Sequence, residues 1–275
     1  MRRPRDDHGE APRDDRNDEL TPVFDIMVSI GSFCEGSWNM RTLLLLLVYV
    51  ILGLAAVPVL LVCTLFRWSR PIQVYSRFAL GLGRRILGVR VETEGLDRID
   101  PERPCIYMSN HLSLLDGPIL FWAIPRFVRV ILKRSVFKFP IVGQAMRVVD
   151  FIPVDRAGRD SGKKSVQRAA RMIREKQVPF LIFPEGTRSR SGRLQRLRRG
   201  GFFLALESGA PLVPVAIQGT YALLPPGAFF AKPGRVKVTF FPPIPVEGCT
   251  REDVPRLTRL VEEKIREGLP EEGKK

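Results

Sequence analysis

The chain has 275 residues, 45% of them apolar, and a formal net charge of +15. That length and apolar content allow one sizeable α/β domain with an appendage, and they exclude a globally disordered chain. Cys34, Cys63, Cys105 and Cys249 are scattered without a CxxC pair, and there are only two histidines; they read as four reduced thiols, no disulfide framework is visible and no metal site is expected.

Residues 1–20 hold five Arg against seven acids, interspersed with Pro and Gly. They read as a solvated, disordered tail, and not as a signal peptide, because no apolar stretch follows at the usual distance. Without them, residues 21–275 carry +17. Such a field attracts nucleic acid, anionic lipid head groups or an acidic protein partner, and charge alone does not choose among them.

Two apolar segments follow. Pro22 to Phe33 is short and broken by Asp25 and Gly31, whereas Thr42 to Phe66 runs 25 residues without a charge. About 20 apolar residues suffice to cross a bilayer, and Gly53 and Pro58 are positions for a kink. Two arrangements stay open: one spanning helix, or a helical hairpin dipping into one leaflet. Arg67, Arg70, Arg77, Arg84 and Arg85 come next, with Trp68 at the edge. Arg on this flank places the rest of the chain on the cytoplasmic side. Tyr75, Phe78, Ala79, Leu82 and Ile86 share one helical face, which makes a basic amphipathic helix at the membrane surface.

From residue 90 short β-branched runs alternate with helical ones. Strands are expected at Val89–Thr93, Cys105–Met108, Val128–Leu132, Val149–Val154, Pro179–Phe183, Leu212–Ile217 and Val236–Phe241. Helices are expected at Leu114–Ala123, Ser161–Gln177, Gly200–Ser208 and Val254–Glu267. The fold class is therefore α/β, a mostly parallel sheet flanked by helices with an N-terminal membrane-anchoring helical segment. The chain divides into a tail (1–20), anchoring helices (21–70) and one large domain (71–275). There is no repeat, no GxGxxG and no P-loop.

In such folds sites gather at the carboxyl ends of strands, and two strings stand there. The first is Asn110-His111-Leu112-Ser113-Leu114-Leu115-Asp116, with the only histidine outside the tail. On one regular helix a five-residue gap would turn the two side chains about 140° apart. With His111 in the loop and Asp116 in the first helical turn, the carboxylate reaches one ring nitrogen and leaves the other to take a proton. The spacing also fits an acid that merely favours a helix N-terminus. The second string is Phe183-Pro184-Glu185-Gly186-Thr187-Arg188, where exposed backbone N–H groups beside a guanidinium suit a phosphate. The bland alternative is a tight turn with a surface ion pair. Arg156, after Phe151-Ile152-Pro153-Val154-Asp155, is a second possible phosphate ligand. Arg188, Arg190, Arg193, Arg196, Arg198 and Arg199 form a dense basic cluster.

Taken together, Asn110-His111-x4-Asp116, Phe151-Ile152-x3-Arg156, Phe183-Pro184-Glu185-Gly186-Thr187-Arg188 and Val213-Pro214-Val215 resemble, in order and spacing, the glycerolipid acyltransferases. The resemblance covers about residues 90–220 and is nearest to the bacterial 1-acylglycerol-3-phosphate acyltransferases. It implies that His111 is the base that deprotonates an sn-2 hydroxyl, that Asp116 is its partner, and that the hydroxyl attacks an acyl thioester directly. Backbone N–H groups near the dyad would hold the oxyanion. Arg156, Glu185, Gly186, Thr187 and Arg188 would bind the glycerol phosphate of the acceptor, with Lys133 as a further phosphate contact. No cofactor is implied; acyl-coenzyme A or acyl-carrier protein is the co-substrate. The partners implied are membrane lipids, namely lysophosphatidic acid and anionic phospholipid, with acyl carrier protein as one possible donor and no nucleic acid. The implied location is the cell inner membrane, with the catalytic domain facing the cytoplasm. Three other readings stand beside this one: the same chemistry on a different lysolipid, a non-catalytic basic membrane-binding protein of the same fold, and, least supported because no GxSxG elbow is present, a hydrolase.

Overall fold

The computed structural model describes residues 21–155 and 159–270, with side chains from residue 39 and from residue 161 onward in the two stretches. The tail at residues 1–20 and the expected phosphate ligand Arg156 both lie outside the described residues.

A single helix, α1 (Thr21–Leu65), replaces the two apolar segments expected from the sequence; it continues through Cys34–Arg41 and carries Pro58 inside it. Its stretch Asn39–Leu65 is long and apolar enough to cross a membrane. Yet α1 does not stand away from the rest of the protein. Thr42, Ala56, Leu60 and Cys63 recur at helical spacing and are buried. The Thr42 hydroxyl accepts the Ala231 N–H, and the Tyr75 hydroxyl of α2 (Arg70–Ile86) donates to the Leu52 carbonyl. Cys63 packs with Ile72 and Val149 at the other end. Residues 42 and 63 are about 32 Å apart along a helix, so the C-terminal half of α1 lies along the domain and is held at Thr42 and at Cys63. The opposite face, including Leu43, Leu47, Val50, Leu54 and Leu61, is exposed.

The sheet order is β1-β7-β6-β2-β5-β3-β4. Its strands are β1 (Val89–Glu94), β2 (Ile106–Ser109), β3 (Arg129–Lys133), β4 (Ile152–Val154), β5 (Phe180–Ile182), β6 (Leu212–Gln218) and β7 (Gly234–Phe240). All pairings are parallel except β6 with β7. The central strands β2 and β6 are near-continuous apolar runs because both faces are covered. On one face lie α5 (Arg159–Lys176), α6 (Gly200–Ser208) and α8 (Val254–Glu267), around Ile173, Phe202, Leu204 and Leu257. The other face packs Leu120, Ile124, Val213, Val215 and Phe240, with α3 (Asp116–Ala123) over it.

Two helices were not expected. Residues 140–148 form α4, with Pro140 opening it and Gly143 packed against the Phe137 backbone. Asp150 then turns the chain with φ 63°. The strand expected at Val149–Val154 is thereby cut to Ile152–Val154. A further short helix, α7 (Thr220–Leu223), follows β6.

Candidate active site

His111 and Asp116 belong to one tight loop between β2 and α3. Asp116 is fully buried at the first residue of α3. Its Oδ2 accepts three bonds: from His111 Nδ1 at 2.9 Å, Leu112 N–H at 2.6 Å and Ser113 N–H at 2.7 Å. The carboxylate thus wraps the loop around itself, and the imidazole is the one side-chain donor of the three. The residue before the dyad fixes the loop to the sheet: Asn110 donates to the Ile217 carbonyl at 2.9 Å and accepts the Ile217 N–H at 2.8 Å. With Nδ1 facing Asp116, Nε2 is the nitrogen left for chemistry. The Phe183 ring stacks on the imidazole with centroids 4.0 Å apart.

The second loop, after β5, is laced to the first. Ser189 N–H donates to the His111 carbonyl at 2.8 Å. Glu185 Oε1 accepts the His111 N–H at 2.6 Å, and its Oε2 accepts the Gln195 N–H at 2.9 Å. Glu185 is 2% exposed. Burial pushes its carboxyl up to about 7, opposed by the bonds from Gln195 and His111, while the Asp116 charge adds to the rise. This places Glu185 differently from the expectation that it binds the acceptor's phosphate: both of its oxygens are turned to the protein backbone.

Gly186, Thr187, Arg188 and Arg190 line a cleft of about 690 Å³ together with His111, Pro226 and Gly227. Gly186 has φ 76°, and a Cβ there would meet the Arg198 side chain at 2.9 Å. Glycine thus serves the turn and the close approach of a second guanidinium. Lys133 is different. It is exposed at the end of β3 and lines neither this cleft nor the cavity described next.

On its other side His111 lines a cavity of about 590 Å³ whose walls include Phe121, Val130, Leu132, Phe151, Val166, Ile182 and Phe183. The cavity runs from β2 past β5 and β3 to β4 and α5, three strand spacings or about 14 Å. His111 therefore stands between a basic, polar cleft and an apolar cavity.

The sequence reading missed several members. Arg190 and Arg198 appear in it only within a basic cluster, and Pro226 and Gly227 not at all; nothing local marks a loop that arrives from 115 residues away. Several backbone N–H groups beside the dyad are already engaged: those of His111, Leu112, Ser113, Leu115 and Asp116 all donate to protein acceptors. The Ser113 hydroxyl is likewise committed, donating to the Leu224 carbonyl at 2.7 Å, and is buried. It is no nucleophile for a hydrolase.

A family model described as Acyltransferase matches residues 90–218. The chain is 32% identical over 207 residues to a 1-acyl-sn-glycerol-3-phosphate acyltransferase of Pseudomonas aeruginosa, covering 74% of this chain and 79% of that protein. A protein of the same name from Limnanthes douglasii is 30% identical over 198 residues, covering 72% and 70%. Among solved structures, the 1-acyl-sn-glycerophosphate (LPA) acyltransferase PlsC of Thermotoga maritima superposes with a TM-score of 0.66 at 27% identity, over 84% of this chain and 95% of that one.

Proposed function

Since the chain belongs to the 1-acyl-sn-glycerol-3-phosphate acyltransferase family and is an acyltransferase, we propose that it moves a fatty acyl group from a thioester to the sn-2 hydroxyl of 1-acylglycerol-3-phosphate, giving phosphatidic acid. The observation that carries this reading is the position of His111, between a cleft that suits a phosphate and a cavity that suits an acyl chain.

In this reading His111 Nε2 takes the proton of the hydroxyl as its oxygen attacks the thioester carbonyl. Asp116 holds the tautomer and balances the imidazolium. The tetrahedral intermediate collapses by breaking the carbon–sulfur bond, and the imidazolium returns the proton to the leaving thiolate. No metal or cofactor enters these steps; the co-substrate is acyl-coenzyme A or acyl-carrier protein. Thr187, Arg188 and Arg190 bind the acceptor's phosphate, bidentate guanidinium recognition being the strong form of that contact. The N–H groups of Thr187 and Arg188 are the donors left in the cleft for the oxyanion. Glu185 sets the His111 backbone. The acyl chain enters the apolar cavity.

The docking of α1 along the domain supports insertion into one leaflet, apolar face outward, over a spanning helix. The site would then meet both lipids at the interface, and the location proposed is the cytoplasmic face of the inner membrane.

The test is product analysis. Purified protein is given an acyl thioester on either carrier and a panel of lysolipids differing in head group. The expected result is phosphatidic acid, formed from lysophosphatidic acid in strong preference to uncharged or zwitterionic head groups. In Arg188→Ala the KM for lysophosphatidic acid rises and that for the thioester does not. Equal turnover of a lysolipid lacking the phosphomonoester would argue for another acceptor.

A further inference from the structure

A second concentration of guanidinium groups lies apart from the cleft at His111. Arg41, Arg84, Arg85, Arg90 and Arg235 line a hollow of about 580 Å³ with Gly88 and Gly234. They come from α1, α2, β1 and β7, elements that the fold brings together. Because β7 is antiparallel to β6, the start of β7 lies beside the end of β6, with Lys237 paired to Gln218. β1 begins alongside, Val89 opposite Gly234. The hollow is therefore on the same edge of the sheet as His111, nearer its β1 end.

The charge there is barely compensated. Among the described residues the one acid paired with any of the five is Glu92, 3.6 Å from Arg235, with both side chains exposed. The side chains of Arg41, Arg85 and Arg90 make no hydrogen bond or ion pair to protein among the described residues. Yet the arrangement is built. Gly88, at φ 69°, lets the Arg41 guanidinium approach so closely that a Cβ would meet it at 2.7 Å. Arg84 is fixed 4.2 Å over the Trp122 ring and donates to the Val89 carbonyl, while its Nε is buried without a partner. Five guanidinium groups converging with almost no carboxylate make a site for phosphate oxygens.

The place selects the kind of phosphate. Arg41 opens the apolar stretch Asn39–Leu65, beside the exposed Leu43 and Leu44. Phe229 and Phe230 are exposed just before Ala231, whose N–H Thr42 holds. A basic hollow bordering an outward apolar surface lies at head-group depth. We propose that this hollow binds the head-group phosphate of an anionic phospholipid of the bilayer, held as a bound lipid and not as a substrate.

The test uses the full chain in neutral detergent, without acyl donor, titrated with phosphatidylglycerol or phosphatidylcholine and read by native mass spectrometry. The wild type is expected to retain phosphatidylglycerol preferentially. Arg41→Gln/Arg90→Gln should bind it roughly thirtyfold more weakly. Arg85→Gln/Arg90→Gln repeats the test without touching α1. Arg168→Gln/Arg171→Gln removes the same charge from exposed positions on α5, at the β4 edge of the sheet, and should bind like the wild type. Equal weakening in hollow and α5 pairs, or no weakening in either hollow pair, overturns the site. Displacement of the lipid by millimolar inorganic phosphate assigns the hollow to a soluble anion and overturns the lipid. A raised KM for an acyl-carrier-protein donor with unchanged lipid retention assigns it to that acidic protein and overturns the proposal too. The reading of His111 is tested separately: the hollow pairs should keep turnover in neutral micelles, and His111→Ala should keep the lipid while losing turnover.

Discussion

The Glu185 carboxylate accepts the backbone N–H of His111 at 2.6 Å, from 74 residues further along the chain. The bond joins the loop that carries the imidazole to the loop that carries Arg188. Together with the Ser189 N–H on the His111 carbonyl at 2.8 Å, it clamps the His111 peptide from both sides. The base is positioned by its backbone as much as by Asp116.

Glu185→Gln keeps one acceptor and turns an NH2 toward one of the two N–H donors. The expected outcome is a fall of roughly tenfold to a hundredfold in kcat, the scale of a small misplacement of a catalytic group. The KM for the phosphate-bearing acceptor should stay near the wild-type value. A raised KM with unchanged kcat would restore Glu185 to a substrate-binding role. Stability supplies an independent reading. The Glu185 carboxyl holds its proton to about 7 in the fold, against an ordinary 4.5. Its contribution to stability is complete below the ordinary value and is lost as the pH rises through about 7. The slope is at most about 1.4 kcal/mol per pH unit. Denaturant titrations between pH 4.5 and 7.5 should show a decline in the wild type that is shallower in Glu185→Gln.

Asp116→Asn preserves the volume and one acceptor for the Leu112 and Ser113 N–H groups. It removes the charge that balances the imidazolium and places an amide NH2 where no partner exists, since Oδ1 is buried and unpartnered. A loss of roughly 10²- to 10⁴-fold in kcat is expected, the usual worth of general acid–base catalysis. Steady-state kinetics at saturating lysolipid measures it, and a loss below threefold would remove Asp116 from the mechanism.

Fold and site were not equally legible in the sequence. The strands β2, β3, β5 and β6 declared themselves because buried parallel strands are short apolar runs with β-branched residues, and β1 and β7 because their apolar and polar residues alternate. The amphipathic face of α5 did so through its period. α4 stayed hidden because Pro140–Val148 is nine residues long and merges into the apolar Val149–Val154. The docking stripe of α1 was equally hidden: Ala56, Leu60 and Cys63 are as apolar as the exposed face opposite, and Thr42 alone makes no period. At the site, the five-residue gap from His111 to Asp116 had a physical reading before the geometry was known. The partner of Glu185 had none, because a carboxylate that serves a backbone N–H 74 residues away leaves no local trace.

The cavity makes a prediction about chain length. Gly162 lines its far end, at the β4 and α5 side, and a Cβ there meets nothing within 4 Å. Gly162→Leu should therefore fold normally and shorten the space. Acyl thioesters of graded length should show the preferred chain shifting shorter by several carbons, with little change for short donors. An unchanged length profile would place the acyl chain elsewhere.

The measurement that meets the central claim most directly is thiol release from an acyl thioester by the detergent-purified full chain, with and without lysophosphatidic acid, for the wild type and for His111→Ala. His111 is expected to be the base for an acceptor hydroxyl, so release should require the lysolipid and fall to background in the variant. Release that persists in His111→Ala, or that proceeds without any acceptor, would contradict acyl transfer driven by this imidazole.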